Sequence, residues 1–159
     1  MKTKDIALFE SGNGGNFIVL NNDLLLSETL YQQIYLALFG GNIEASTKQS
    51  YLETEDRFDY WGNSLVWKTK KNKQFNSETE AILRKVALNS SGRLEIVQAI
   101  NSDLAYLSSL ITFDVEVSIL SSSSIRITVS FTDKTNQESK VMQMVYNNAK
   151  NEVIIEKEI

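Results

Sequence analysis

Two carboxyl groups held at a fixed separation, one kept protonated by its surroundings, suffice to hydrolyse a glycosidic bond. Glu53, Glu55, Asp56 and Asp59 form the one acidic cluster with that capacity, and Tyr51, Tyr60 and Trp61 lie close by in the chain. Glu53 and Glu55 are the pair such a reaction would use. A longer series of sugar-stacking aromatics does not accompany them, and acidic residues crowded into a polar stretch are usually solvated rather than catalytic. Lys68, Lys70, Lys71 and Lys73, between Trp67 and Phe75, suggest a second chemistry, with lysines on phosphates and aromatics stacked on bases. A net charge of -4 disfavours nucleic acid as the main partner, because that affinity comes from neutralised phosphates. The glycines of Ser11-Gly12-Asn13-Gly14-Gly15-Asn16 lack the spacing of a dinucleotide loop and no P-loop lysine follows them. They read as a turn.

Residue types that are missing narrow the field further. The chain has no histidine, no cysteine and no proline. Histidine- or cysteine-based nucleophilic catalysis has no residues to use, nor has an ordinary zinc site. No cofactor and no small-molecule substrate is indicated, and the sequence reads as that of a non-enzyme. The basic, briefly apolar start at Met1 to Phe9 is interrupted by Glu10, unlike a secretory signal. No apolar run reaches the ~20 residues of a membrane span. The expected location is cytoplasmic at synthesis, with no membrane partner.

The elements follow from periodicity. Ile6 to Phe9 and Phe17 to Leu20 flank Asn13-Gly14, which predicts an N-terminal β-hairpin. Asn21-Asn22-Asp23 marks a second turn. Ser27 is the expected N-cap of a helix whose stripe is Leu30, Tyr31, Ile34, Tyr35 and Leu38, with Gly40-Gly41 as its left-handed end. Such a stripe predicts that both tyrosines are core. From Asn42 to about Phe75 no period is evident, and a loop of that length is often an interaction loop. Ser77 and Glu80 stand at capping-box spacing, ahead of Ile82, Leu83, Val86 and Ala87 on one face. Ser90-Ser91-Gly92 should break that helix, and a second should begin near Arg93 with Val97, Ile100, Leu104 and Leu107 as its stripe. Beyond it the period changes to two. Phe113 to Ile119 and Ile125 to Phe131 predict half-buried strands joined by Ser121 to Ser124, and Val141 to Tyr146 a third. Val153 to Ile155 is a fourth strand or part of a flexible tail from about residue 150. The fold class is therefore α+β, one unit over residues 1–159. The helices from Ser77 to Leu107 should pack on one face of a mostly antiparallel C-terminal sheet, with an N-terminal β-hairpin.

In this order, Phe17 to Leu26, Glu28 to Gly41, Asp59-Tyr60-Trp61-Gly62-Asn63, Phe75 to Ala87 and Phe113 to Phe131 resemble the Mu-type phage baseplate proteins. Those are related to the sheath-initiating wedge proteins of contractile tails. The Trp-Gly element after the acidic loop is the most specific piece. The Glu-Pro-Arg stretch of related wedge proteins is replaced by Leu110-Ile111-Thr112, so no role that depends on it is carried over. The resemblance implies a structural baseplate subunit with other baseplate or tail proteins as partners, no cofactor, and a final location in a virion or tail-like particle. Tyr60 and Trp61 are the expected protein-binding residues on the loop, although Trp61 equally suits packing against the protein's own helices, with Gly62 in a tight turn. Val153 and Ile155 are those of a sheet edge open to a partner's strand. The charges around them equally suit a lone edge guarded against aggregation. A carboxylate-dependent, lysozyme-like glycoside hydrolase acting on cell-wall glycan is the alternative.

Overall fold

A computed structural model of the protein describes residues 4–10, 15–40 and 77–158. The N-terminal part is a small three-armed ribbon. β1 (Lys4–Ile6) pairs with β6 (Leu26–Glu28), β2 (Leu8–Glu10) with β3 (Gly15–Phe17), and β4 (Val19–Leu20) with β5 (Asp23–Leu24), all antiparallel. The arms meet where the Ala7 N–H donates to the Leu25 carbonyl, Leu25 to Ile18, and Ile18 to Ala7. Asn21 and Asn22 both have positive φ, 52° and 64°. That is the conformation a two-residue hairpin turn demands and asparagine tolerates. The tip of the hairpin predicted around Asn13-Gly14 lies outside the described residues, while its flanking strands β2 and β3 are paired as expected.

α1 (Thr29–Phe39) follows directly. Its N-cap is Glu28 rather than the expected Ser27, with no side-chain cap bond. Ser27 is held in β6 opposite Asp5, and its hydroxyl takes a hydrogen bond from Gln32 Nε2 at 3.2 Å. Gly40 closes the helix at φ -83° and ψ 5°, not in the left-handed region expected of it. Tyr31 and Tyr35 are buried as their spacing predicts, and Tyr31 meets Phe131 edge-on, with ring centroids 5.5 Å apart.

α2 is short, Glu78–Leu83, so Val86 and Ala87 fall beyond it. Ser77 caps it by accepting the Glu80 N–H. The reciprocal half of the expected capping box is replaced by an approach of the Glu80 carboxylate to Arg84. The last helix, α3, runs from Ser90 to Leu104 and a 3-10 turn from Ala105 to Ser109 extends it. Its start corrects the expectation of a break at Ser90-Ser91-Gly92. Asn89 caps it through the Gly92 N–H at 2.9 Å, and those small residues form its first turn. The buried stripe is Ile96, Ile100, Leu104 and Leu107, with Val97 half-buried beside it.

β7 (Ile111–Ser121), β8 (Ser124–Asp133), β9 (Ser139–Asn147) and β10 (Glu152–Glu158) form an antiparallel meander in chain order. Ile125, Ile127, Val129 and Phe131 on β8, and Met142, Met144 and Tyr146 on β9, are buried on one face. They face the helices, α1 included, in one core. The protein is thus α+β with helices on one side of an antiparallel sheet, and residues 152–158 are its fourth strand.

Candidate functional site

The four residues expected to bind a partner divide sharply. Tyr60 and Trp61 lie outside the described residues, as do Glu53, Glu55 and the lysines from 68 to 73. Val153 and Ile155 stand opposite Tyr146 and Met144, on the covered face, and pack half-buried against the core. Their neighbour Ile154 faces outward and is exposed. What β10 offers a partner is therefore its main chain and its outer face. Its register slips between Ile155 and Lys157, and β2 passes close to it.

A surface that the sequence reading missed is the N-terminal ribbon. Residues directly opposite in antiparallel strands project to the same face, and so do residues two apart. Ile6 pairs with Leu26, Leu8 with Phe17, and Val19 with Leu24. The steps 17 to 19 and 24 to 26 join Phe17, Val19, Leu24, Leu26 and Ile6 along one face. Phe17 is 51 % exposed, Val19 65 %, Leu24 42 % and Leu26 53 %. On the opposite face Ala7 is buried and Ile18 and Leu25 are half-buried, while Leu20, toward the tip of its arm, is exposed. The exposed apolar patch is on the order of 400–500 Å², a size that is often functional on a monomer. Phe17-Ile18-Val19 and Leu24-Leu25-Leu26 stood out only as apolar runs, and short apolar runs do not say which face is dry.

Two contacts fix this ribbon to the body. Gln32 Nε2 donates to the Ile6 carbonyl, and Lys140 forms an ion pair with Glu28 while lying 5.7 Å from the Tyr31 ring centroid. The patch thus sits on a placed element.

A second group of polar residues lies under α2. Asp103 accepts the backbone N–H groups of Glu78 at 2.9 Å and Thr79 at 2.8 Å. Burial raises its pKa, and these hydrogen bonds partly oppose that. Ser77 donates to the Leu38 carbonyl, which ties α2 to the end of α1. Glu80 is pushed up to about 7 by burial, with Arg84 pulling the other way. Its Oε1 is 3.8 Å from Arg84, and its buried Oε2 has no hydrogen-bond partner. Tyr146 is raised by burial and donates its hydroxyl to Asn151 at 3.0 Å. One carboxyl group near neutrality meets half the requirement for acid–base work, but no second carboxylate lies across a cleft from it among the described residues. The polar group joins α2 to α1 and α3.

Among the described residues no three carboxylates cluster so as to hold a metal ion. Among the same residues no helix is long and apolar enough to cross a membrane. Comparison with protein-family models, with curated proteins and with solved structures finds no match to this chain.

Proposed function

We propose that this protein is a structural subunit of a phage or phage-like tail baseplate, acting by protein–protein assembly. The observation that carries the binding role is the exposed apolar face of Phe17, Val19, Leu24 and Leu26 on a ribbon anchored to the body. Apolar area on that scale, outside any reaction pocket, suits docking. The baseplate assignment draws on the order of sequence motifs described above. Tyr60 and Trp61 remain its proposed loop anchors, and the sheet edge a second contact.

Mass spectrometry of tail-like particles purified from cells carrying the gene tests this reading. The chain should be present in the particles, and deleting its gene should leave tails without complete baseplates. Particles that assemble normally and never contain the chain would overturn it.

A further inference from the structure

Among the described residues, no strand pairs with the outer main-chain edge of β7 or of β10 in the meander. The two edges differ. β10 is short, slips register at Ile155/Lys157 and is flanked by β2, features that blunt an edge. β7 is eleven residues long and regular as far as Ile119.

β7 also carries an unmatched charge pattern. Asp114 and Glu116 stand exposed on its wet face. Opposite them on β8 are Ser130 and Thr128, which carry no charge. Arg126, a cation of that face, lies opposite Ser118 and is bonded to Glu156 at 3.2 Å. On the other face Ile111 and Val117 are buried, but the two residues between them are less covered. Phe113 and Val115 are only half-buried, whereas their partners Phe131 and Val129 on β8 are buried.

We propose that β7 is the docking edge, and that its occupant is an extended protein segment alternating lysine or arginine with β-branched residues. This rests on the protein-binding reading above and gives its sheet-edge contact a location and a partner chemistry. An added strand would bond to the outer main-chain edge of β7. Its cations would lie beside Asp114 and Glu116, within cross-strand distance. Its intervening side chains would cover Phe113 and Val115. A second copy of β7 fits poorly in the two registers that would bring its acidic residues to the centre. Antiparallel self-pairing centred on Val115 sets Asp114 against Glu116, and centred on Glu116 it sets that residue against itself. Like charges directly opposite are unfavourable.

The test uses the full chain and two eleven-residue probes, one alternating lysine with valine or threonine, the other glutamate in place of lysine. Binding is read by fluorescence anisotropy, and its position by amide hydrogen exchange. The lysine peptide should bind at least about tenfold more tightly than the glutamate peptide, weaken with salt, and protect residues 111–121. Asp114→Lys with Glu116→Lys, at exposed positions that leave the fold intact by circular dichroism, should reverse the preference. Backbone N-methylation of the peptide should abolish binding. No binding, an unreversed preference, protection at β10 instead, or self-association of the chain through β7 would each overturn the proposal. If the peptides fail while the chain is still found in particles, this edge is wrong and the assembly role stands. If the chain is missing from particles, the assembly role itself fails.

Discussion

At single residues the fold makes two demands that a measurement can reach. Gly92 lies where α3 passes beneath the carbonyl of Ala87, and an added Cβ would come within 2.1 Å of that oxygen. A backbone oxygen cannot swing away as a side chain does. Gly92→Ala should therefore cost about 1–3 kcal/mol by urea unfolding, although alanine is the better helix former. Glu80 makes the second demand. Its folded pKa of about 7 exceeds the ordinary value of 4.5, so between those values the folded state holds a proton that the unfolded state has lost. The stability linked to this proton is fully present below about pH 4.5 and is lost as pH rises through 7, by about 1–3 kcal/mol. Glu80→Gln removes the titration. The variant should match the wild type near pH 4.5 and exceed it at pH 8 in melting temperature. A variant with the wild-type pH profile would place the titrating group elsewhere.

Among the elements, α3 is where burial decides the energetics. Leu104 is fully buried, and Leu104→Ala should cost about 2–5 kcal/mol. Val97 is half-buried at the margin of the same stripe, so Val97→Ala should cost clearly less, and equal losses in urea would contradict the packing described. How far such elements were legible depended on period length. The C-terminal strands alternate over seven or more residues, so both their existence and their inner face could be read. Tyr31, Tyr35 and Leu38 repeat over several turns, and their burial followed. The boundaries were less legible because caps compete locally. Ser27 has the right chemistry for a cap but is held in a ribbon strand, while Asn89 reaches Gly92 and extends α3 by a turn. Three-residue arms carry too little alternation to reveal a face, so the ribbon patch emerged only from its pairing. For Val153 and Ile155 the residue types marked a strand, but only its register with Tyr146 and Met144 shows them on the covered side.

For the molecule as a whole, the ribbon patch and the core lie in separate regions. Phe17, Val19, Leu24 and Leu26 project away from the common core, whereas that core joins α1, α2 and α3 to the sheet. Replacing Val19 and Leu26 together by serine should leave unfolding free energy within about 0.5 kcal/mol per site, as for ordinary surface positions. The same replacement should remove the chain from assembled particles. A large loss of stability would instead mean that the patch is covered within the folded monomer. The order of the elements along the chain also bears on synthesis. α1, α2 and α3 emerge from the ribosome before the first residue of the meander, so Ile34, Leu38, Ile96 and Leu104 are made well before Val129, Met142 and Met144 can cover them. Ribosome-stalled chains ending near residue 110 should accordingly be bound by chaperones, and chains released after the fourth strand should not.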